Sequence, residues 1–268
     1  MAFCQYMGRN SNMPAAGRTF PEKGTDIMDI SGTAALVTGA SRGLGEALAL
    51  ALAEQGARVV LVSRTRQALE PIVRRILARG GEAHALEADL GSKEDIYPLA
   101  GAATALVGPI DLLIHNASEL GPTPLRLLLD TECEDFERVL AVNLLGPFRL
   151  SRVIGGSMAL RERGTIVHVS SDAAVNAYPN WGAYAVSKAA LDHLARVFAA
   201  ELDARSVRSF SVDPGEMDTR MHAAALPDAD PSTLARPAQV AEEILALIRA
   251  RNVPNGARLE ASRAGAYS

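Results

Sequence analysis

The stretch AALVTGASRGLG, residues 34–45, sets the fold of this chain. A short apolar run leads into a turn with three glycines, and an alanine- and leucine-rich segment with helical spacing follows. Gly39 lets the chain turn sharply off a strand, Gly43 permits close approach of a phosphate, and Gly45 lets the next helix lie near the sheet. The start of that helix would face an anion. The stretch predicts a strand, a nucleotide-binding turn and a helix, although such glycines also occur for packing alone.

Six further short apolar runs follow, separated by helical patterns. Because the runs are continuously apolar, they are typical of strands covered on both faces. Together they predict an α/β fold, a Rossmann-type doubly wound parallel sheet of about seven strands with helices on both faces. The predicted strands are 34–38, 58–62, 83–87, 110–114, 165–169, 208–212 and 257–260.

We assign residues 29–268 to a single domain. Residues 1–28 lack hydrophobic periodicity and contain many Asn, Gly, Pro and Ser residues, which predicts a poorly ordered N-terminal extension. The start of the chain has no acidic residue and carries Arg9 and Arg18, so an organellar targeting segment is a weaker alternative.

Composition excludes several classes of function. The net charge of −4 gives no electrostatic footprint for nucleic acid, and no basic run indicates a membrane surface. Apolar stretches stay shorter than the ~20 residues of a membrane-spanning helix. Cys4 and Cys133 are too few for a disulfide framework or a zinc site, and the five scattered histidines indicate no metal cluster. We expect a reducing, cytoplasmic location and no bound metal.

The chemistry is predicted from residues 165–190, TIVHVSSDAAVNAYPNWGAYAVSKAA. Tyr184 and Lys188 are four positions apart and would share one face of a helix. A nearby ammonium stabilises a phenolate, so we expect Lys188 to lower the pKa of Tyr184. Ser171, after the strand, would hydrogen-bond the same substrate oxygen. Such Tyr-Lys pairs are also common surface neighbours, so the pair needs support from other motifs.

The second predicted strand, RVVLVSRT at 58–65, bears on the choice of cofactor. NAD sites usually carry an acidic residue near the end of this strand, but here Ser63 and Arg64 stand there. Arg64 and Arg42 could pair with a 2′-phosphate, so NADP(H) is preferred and NAD(H) is possible. Two ordinary surface arginines are the alternative.

Several motifs in this order resemble the short-chain dehydrogenase/reductase family in its single-domain form, over residues 30–262. They are TGASRGLG, Asp89-Leu90, HNAS at 115–118, Asn143 in VNLLGPF, Ser171, Tyr184-x-x-x-Lys188 and Pro214-Gly215. The resemblance implies an NADP-dependent oxidoreductase that transfers a hydride between nicotinamide and a small or medium carbonyl or alcohol. It implies cofactor contacts at Gly39, Ser41, Arg42, Gly43, Leu44, Gly45, Ser63, Arg64, Asp89, Leu90, Asn116, Ala117, Ser118, Tyr184, Lys188, Pro214, Gly215 and Thr219.

The resemblance also implies the catalytic roles. Tyr184 would transfer the proton, Lys188 would orient the cofactor, Ser171 would bind the substrate oxygen, and Asn143 would hold a water. The family commonly pairs helices corresponding to 131–160 and 181–204, which implies a homodimer or homotetramer. A regulatory or scaffold protein that binds a dinucleotide without turnover stays open, because fold alone cannot choose.

The chain departs from the common family pattern at residues 115–118, and a segment after the sixth predicted strand bears on the substrate. His115 and Ser118 depart from the common Asn-Asn-Ala-Gly; we interpret His115 as a buried structural residue and expect Ser118 to be tolerated. Residues 216–235 predict a short lid. Side chains from the lid and from the loop before Tyr184 could line an apolar substrate pocket or only pack the lid down: Tyr178, Pro179, Trp181, Met217, Met221 and His222.

Overall fold

A computed structural model describes residues 28–267 of the chain. The predicted N-terminal extension therefore lies outside the described residues, except for its last residue. Met28 belongs to the domain, because its backbone N–H donates to Arg249 O at 2.7 Å and it packs against the core.

Seven strands form one sheet, in which every neighbouring pair is parallel. They are β1 (Ala34–Thr38), β2 (Arg58–Ser63), β3 (Glu82–Glu87), β4 (Leu112–His115), β5 (Gly164–Val169), β6 (Val207–Asp213) and β7 (Arg258–Glu260). Their order in the sheet is β3-β2-β1-β4-β5-β6-β7. The predicted doubly wound parallel sheet is confirmed.

Helices cover both faces of the sheet. They are α1 (Gly43–Glu54), α2 (Glu70–Leu77), α3 (Lys93–Val107), α4 (Cys133–Leu140), α5 (Gly146–Leu160), α6 (Gly182–Leu202), α7 (Arg220–Ala225) and α8 (Pro237–Arg249). Side chains of α1, α2 and α8 fill the core on one face, while α3 and α5 fill it on the other, where Leu202 at the end of α6 also packs. Burying both faces explains why the central strands read as continuous apolar runs.

The edge strand β3 departs from that expectation. Only Ala83 in it is fully buried, and both terminal glutamates, Glu82 and Glu87, are exposed. An edge strand has one neighbour and less cover, so charged and polar residues are tolerated there. Ala83 and Ala85 still pack on one face of β3 and Leu86 packs on the other, so the strand is covered on both faces but less completely than the central strands.

The predicted helix at 131–160 is interrupted by a π-turn. Residues Ala141–Leu145 adopt π-helical geometry between α4 and α5. Pro147 follows and has no N–H, so it cannot donate to the carbonyl of Asn143 four residues earlier. Gly146 lies against Leu90, whose carbonyl oxygen would collide with any Cβ at that position. Turns of this kind are frequent at functional sites.

The predicted site residues gather at the carboxyl edge of the sheet, where open α/β sheets bind ligands. Within residues 28–267, no helix combines the length and hydropathy needed to cross a bilayer. In the same part of the chain, no three His, Cys, Asp or Glu side chains are grouped to hold a metal ion.

Candidate active site

The first glycine turn has the geometry of an anion site. Gly39 and Gly43 have φ values of +66° and +57°, and a Cβ on Gly45 would collide with the Gly39 carbonyl. Arg42 precedes α1 without capping it through its side chain, and Ser41 is half-buried in the same turn. First-turn N–H groups without a side-chain cap, beside glycines, fit a phosphate of a dinucleotide.

The segment after β6 lies against this turn. If Gly43 carried a Cβ, the nearest atom would be Thr219 Cγ2 at 3.4 Å. Gly215 has a φ of +71°, and no described residue has an atom within 4 Å of the Cβ that it would carry. Its N–H donates to Asp213 Oδ1 at 3.0 Å, which fixes the turn that contains Pro214. The glycine turn and the segment at 214–219, both predicted to contact the cofactor, are thus brought together although they are far apart in sequence.

Polar contacts join the ends of β1 and β4. Thr38 Oγ1 donates to Ile114 O at 3.2 Å and accepts from the N–H groups of Asn116 and Ala117 at 3.0 and 3.1 Å. Asn116 Nδ2 donates to Thr38 O at 3.0 Å and to Gly39 O at 3.1 Å. The Asn116 side chain therefore holds the glycine turn. Thr38 was missed because it reads as the last residue of an apolar run.

His115 is a buried structural residue, as interpreted from the sequence. Its ring stacks on His168 with centroids 4.9 Å apart, and its Nε2 lies 2.7 Å from Ser151 Oγ. Burial lowers the pKa of His115 well below its ordinary value, and His168 adds to that effect. The imidazole is neutral at pH 7 and lies inside the sheet layer.

Tyr184 and Lys188 lie one turn apart on α6, and both are buried, with 8% and 2% of their surfaces exposed. Lys188 Nζ is 5.5 Å from the centre of the Tyr184 ring, and Trp181 packs edge-on against that ring. Nζ makes one hydrogen bond within the described residues, to Val169 O at 2.7 Å. A buried ammonium with two further N–H groups fits the hydroxyls of a ligand ribose.

The pKa of Tyr184 moves opposite to the expectation. Burial raises it to about 12, while the Ser171 and Ser118 hydroxyls act in the lowering direction. Ser118 Oγ is buried and, in the described part of the chain, has no partner of full hydrogen-bond geometry. The prediction of a lowered pKa is wrong, because burial outweighs the lowering effect of the two serine hydroxyls. The phenol is therefore protonated at neutral pH, as a proton donor must be.

Lys188 titrates before Tyr184. Burial lowers the pKa of Lys188 to about 8, although Asp192 and Asp213 act to raise it. Desolvation of the charged form outweighs both carboxylates.

Ser171 is placed beside the phenol but is tied to its own turn. Its Oγ donates to Asp172 Oδ1 at 3.1 Å and accepts from Ala173 N at 3.2 Å. Asp172 Oδ2 also accepts from the Tyr178 hydroxyl at 2.7 Å, and this hydrogen bond raises the pKa of Tyr178. Ser171 can donate to a substrate oxygen only by releasing Asp172.

Asn143 is completely buried in the π-turn. Its Nδ2 donates to Glu119 O and Ser187 Oγ, both at 2.9 Å, and its Oδ1 accepts from Glu119 N at 2.8 Å. Both amide hydrogens are therefore used. A water at Asn143 would have to donate to one of its carbonyl oxygens.

Asp89 is held by an arginine that sequence reasoning missed. Arg138 donates to both of its carboxylate oxygens, at 3.0 and 3.1 Å, and Gly91 N donates to Oδ1 at 2.9 Å. Burial acts to raise the pKa of Asp89, but the hydrogen bonds from Arg138 and Gly91 outweigh it and lower the pKa. Leu90 and Leu44 put their side chains in the core, so only their backbones could contact a cofactor.

The end of β2 is less free of acidic groups than its sequence indicates. Ser63 pairs in register with Glu87 on β3, and its hydroxyl donates to Thr65 O at 2.8 Å. Arg64 is largely exposed and lies 3.9 Å from a carboxylate oxygen of Glu119. Both acidic residues come from other parts of the chain, so the sequence around Ser63 and Arg64 does not reveal them.

The cavity beside Tyr184 has a different lining from the one predicted. Trp181 lines it, as expected, but Tyr178, Met217 and Met221 do not. Met217 instead packs against the core and bridges to Ala235, which ties the two ends of the predicted lid together. The other lining residues come mainly from the segment before α4 and from α4 itself: Leu120, Gly121, Pro122, Leu125, Arg126, Thr131, Asp135 and Val139.

This arrangement is similar to that of known proteins. A family described as short chain dehydrogenase matches residues 33–230. The chain is 33% identical over 195 residues to 7alpha-hydroxysteroid dehydrogenase of Escherichia coli (strain K12). The match covers 73% of this chain and 75% of that protein. It superposes on a short chain dehydrogenase from Salmonella enterica serovar Typhi with a TM-score of 0.82, 29% identity and coverage of 90% and 99%. For a metagenomic short-chain oxidoreductase in complex with NADP, the TM-score is 0.71, the identity 32% and the coverage 82% and 92%. A match of this length, with the same fold, shows that the chain belongs to the short-chain dehydrogenase/reductase family and is an NAD(P)-dependent oxidoreductase.

Proposed function

We propose that the protein interconverts a small or medium carbonyl compound and its alcohol with NADP(H), with Tyr184 as proton donor and acceptor. One observation carries this proposal: Tyr184 lines a cavity, and the buried ammonium of Lys188 lies 5.5 Å from the centre of its ring. The nicotinamide supplies the hydride when it is bound, and the chain supplies position and the proton.

Each residue has a defined part in carbonyl reduction. Tyr184 donates its hydroxyl proton to the substrate oxygen, which becomes the alcohol oxygen. Ser171 turns its hydroxyl from Asp172 to the same oxygen and stabilises the developing negative charge. Lys188 would hold the ribose hydroxyls of the cofactor with its two remaining N–H groups and so orient the cofactor relative to Tyr184. In oxidation the same proton moves back to Tyr184.

Asn143 supports the return of the proton to solvent. Pro147 deprives the Asn143 carbonyl of its ordinary helical donor, which leaves that oxygen able to accept from a water. Its side chain meanwhile anchors the backbone of Glu119. A water there would link Lys188 to solvent.

NADP(H) is the proposed cofactor, with NAD(H) possible. Arg64 is exposed and can turn to a 2′-phosphate, and Arg42 stands in the glycine turn. Glu119 opposes this preference by competing for Arg64. We also propose that the cofactor contacts implied by the resemblance are made and that residues 216–235 form a lid. The proposed location is the cytoplasm.

The test is a screen of carbonyl substrates with NADPH, followed by the reduced-cofactor absorbance. Tyr184→Phe removes only a hydroxyl, so NADPH binding should persist while turnover falls about 10² to 10⁴-fold, the usual contribution of a general acid. Tyr97→Phe, which removes a hydroxyl from an exposed side chain on α3, is the matched control and should keep turnover within a few-fold of the parent. If Tyr184→Phe reduced an accepted substrate at the parent rate, the role of Tyr184 would be wrong.

A regulatory or scaffold protein without turnover is not favoured. The relatives described above are named as dehydrogenases and oxidoreductases. A binding module would also have no chemical need for a phenol and an ammonium buried together.

A further inference from the structure

The buried ammonium of Lys188 lies among charged groups that no motif predicts. Asp192 follows it by one turn on α6 and is 2% exposed, and Asp213 ends β6 and is 8% exposed. His168 on β5 is buried nearby, and its pKa is lowered to about 3, first by burial and then by Lys188, so it carries no charge at pH 7. Lys188 therefore lies near two carboxylates that require a second cation.

Arg258 on β7 supplies that cation. Its Nε lies 3.0 Å from Asp192 Oδ2, and one of its terminal nitrogens lies 2.9 Å from Asp213 Oδ2. The same nitrogen donates to the backbone carbonyl of Ser171 at 2.9 Å. Arg258 thus bonds to three elements at once, and its side chain is 19% exposed. The planar guanidinium suits such a fixed set of acceptors, whereas an ammonium does not.

Each of the three acceptors belongs to a part of the proposed site. Ser171 carries the hydroxyl beside Tyr184, Asp192 is on the helix of Tyr184 and Lys188, and Asp213 holds the N–H of Gly215. Arg258 itself lies beyond residues 33–230, the part that matches the family. Asp192 Oδ1 is buried and has no hydrogen-bond partner among residues 28–267, so this carboxylate depends strongly on its contact with Arg258 through Oδ2.

We propose that Arg258 is a positioning residue for the active site: it holds Ser171, helix α6 and the turn at 213–215 in one arrangement and neutralises the carboxylates beside Lys188. This inference rests on the proposed function. Without Arg258, two buried carboxylates would face Lys188 unbalanced, and the three elements would lose their common tie.

The first measurement reads the charges directly and needs no turnover. The chain has three lysines, Lys23, Lys93 and Lys188, so NMR of ¹³C-labelled lysine side chains resolves each titration, and Lys188→Met assigns the buried one. Arg258→Met should raise the pKa of Lys188 by about one unit or more, because the carboxylates then act unopposed. Asp192→Asn should move it in the opposite direction. The exposed Lys93 is an internal control and should not change.

The matched control is Arg161, which makes the same kinds of contact at the amino ends of the strands, just before β4. It lies 2.9 Å from Asp111 Oδ1 and donates to Ile110 O at 2.6 Å. Arg161→Met should lower the melting temperature, as loss of any buried ion pair does, without changing the pKa of Lys188 or the pH profile of turnover.

Turnover then tests positioning. Arg258→Met should lower kcat for carbonyl reduction at least tenfold and move the alkaline limb of the kcat/KM profile upward, while Arg258→Lys should keep that limb in place and recover part of kcat. An unchanged Lys188 titration in Arg258→Met, or an equal change in Arg161→Met, would overturn the inference. If Arg258→Met does not fold, Asp192→Asn decides, and a raised or unchanged pKa of Lys188 contradicts the inference. A parent protein that reduces no carbonyl, yet shows these titrations, would instead refute the proposed function.

Discussion

For individual residues, burial reverses the order in which the Tyr184 phenol and the Lys188 ammonium lose their protons as pH rises. The pKa of Lys188 is lowered to about 8, while that of Tyr184 is raised to about 12. In carbonyl reduction the phenol must be protonated and the ammonium charged, and Lys188 loses its proton first as pH rises. We therefore expect kcat/KM to fall as pH rises through about 8, since kcat/KM reports groups of the free enzyme.

A pH–rate profile at low substrate concentration measures this directly. Lys93→Met removes an exposed lysine and should leave the profile unchanged. A profile that stays level through pH 8 and falls only toward the pKa of Tyr184 would contradict the role of Lys188.

Arg64 and Glu119 make a second prediction at this scale. Glu119→Gln removes a carboxylate 3.9 Å from Arg64, so NADPH should bind more tightly relative to NADH, by up to about fivefold for an exposed pair. Arg64→Asp should narrow or reverse the preference. Fluorescence titration with both cofactors measures the two ratios.

The control is Glu70→Gln, which breaks an exposed ion pair with Arg74 on α2. It should leave both affinities unchanged. Equal binding of NADPH and NADH by the parent protein would refute the proposed preference.

Residue predictions succeeded where the necessary information is local. Tyr184 and Lys188 are four positions apart, and helix geometry alone places them on one face. Arg258, Arg138 and Glu119 could not be found in this way, because their partners are distant in sequence and meet them only in the folded sheet. The direction of the Tyr184 pKa also depended on burial, which the spacing does not reveal.

At the scale of elements, the strands were predictable and the interruption of a helix was not. Apolar runs bounded by turns gave all seven strands, because most are covered on both faces. The hydrophobic periodicity of the sequence does not reveal the π-turn at Ala141–Leu145, although Gly146 and Pro147 mark its end. Its position depends on the contact of Gly146 with Leu90, which belongs to tertiary packing.

That contact predicts opposite effects for two glycines of α5. Gly146→Ala puts a Cβ against Leu90 O, so it should lower the free energy of unfolding by about 1 to 3 kcal/mol and reduce turnover by displacing Asn143. Gly156→Ala on the same helix meets nothing within 4 Å and should raise that free energy by about 0.5 to 1 kcal/mol. Urea unfolding of the two variants measures both. Equal effects of the two substitutions would show that the Leu90 contact does not fix the π-turn.

For the whole molecule, the alternation of strands and helices sufficed to predict the architecture. Parallel strands need crossover helices, and right-handed crossovers leave few orders for the strands. The same rules place the carboxyl ends of β1, β4, β5 and β6 at one edge, so the location of the site was also predictable. The lining of the cavity was not, since it comes from the irregular segment before α4.

Assembly is the last prediction at this scale. Apolar side chains remain exposed on the helices that we expect to pair: Phe148 on α5 is 41% exposed, and Val186 and Val197 on α6 are 46% and 39% exposed. A charge placed in an apolar interface costs more than the contact it replaces, so Phe148→Glu and Val186→Glu should each shift a dimer or tetramer toward smaller species. Leu77→Glu changes an equally exposed side chain on α2, outside these helices, and should leave the mass unchanged. Sedimentation velocity at micromolar concentration measures all three variants beside the parent. A parent protein that sediments as a monomer would refute the assembly. A mass that changes only in Leu77→Glu would place the interface on α2 and not on α5 and α6.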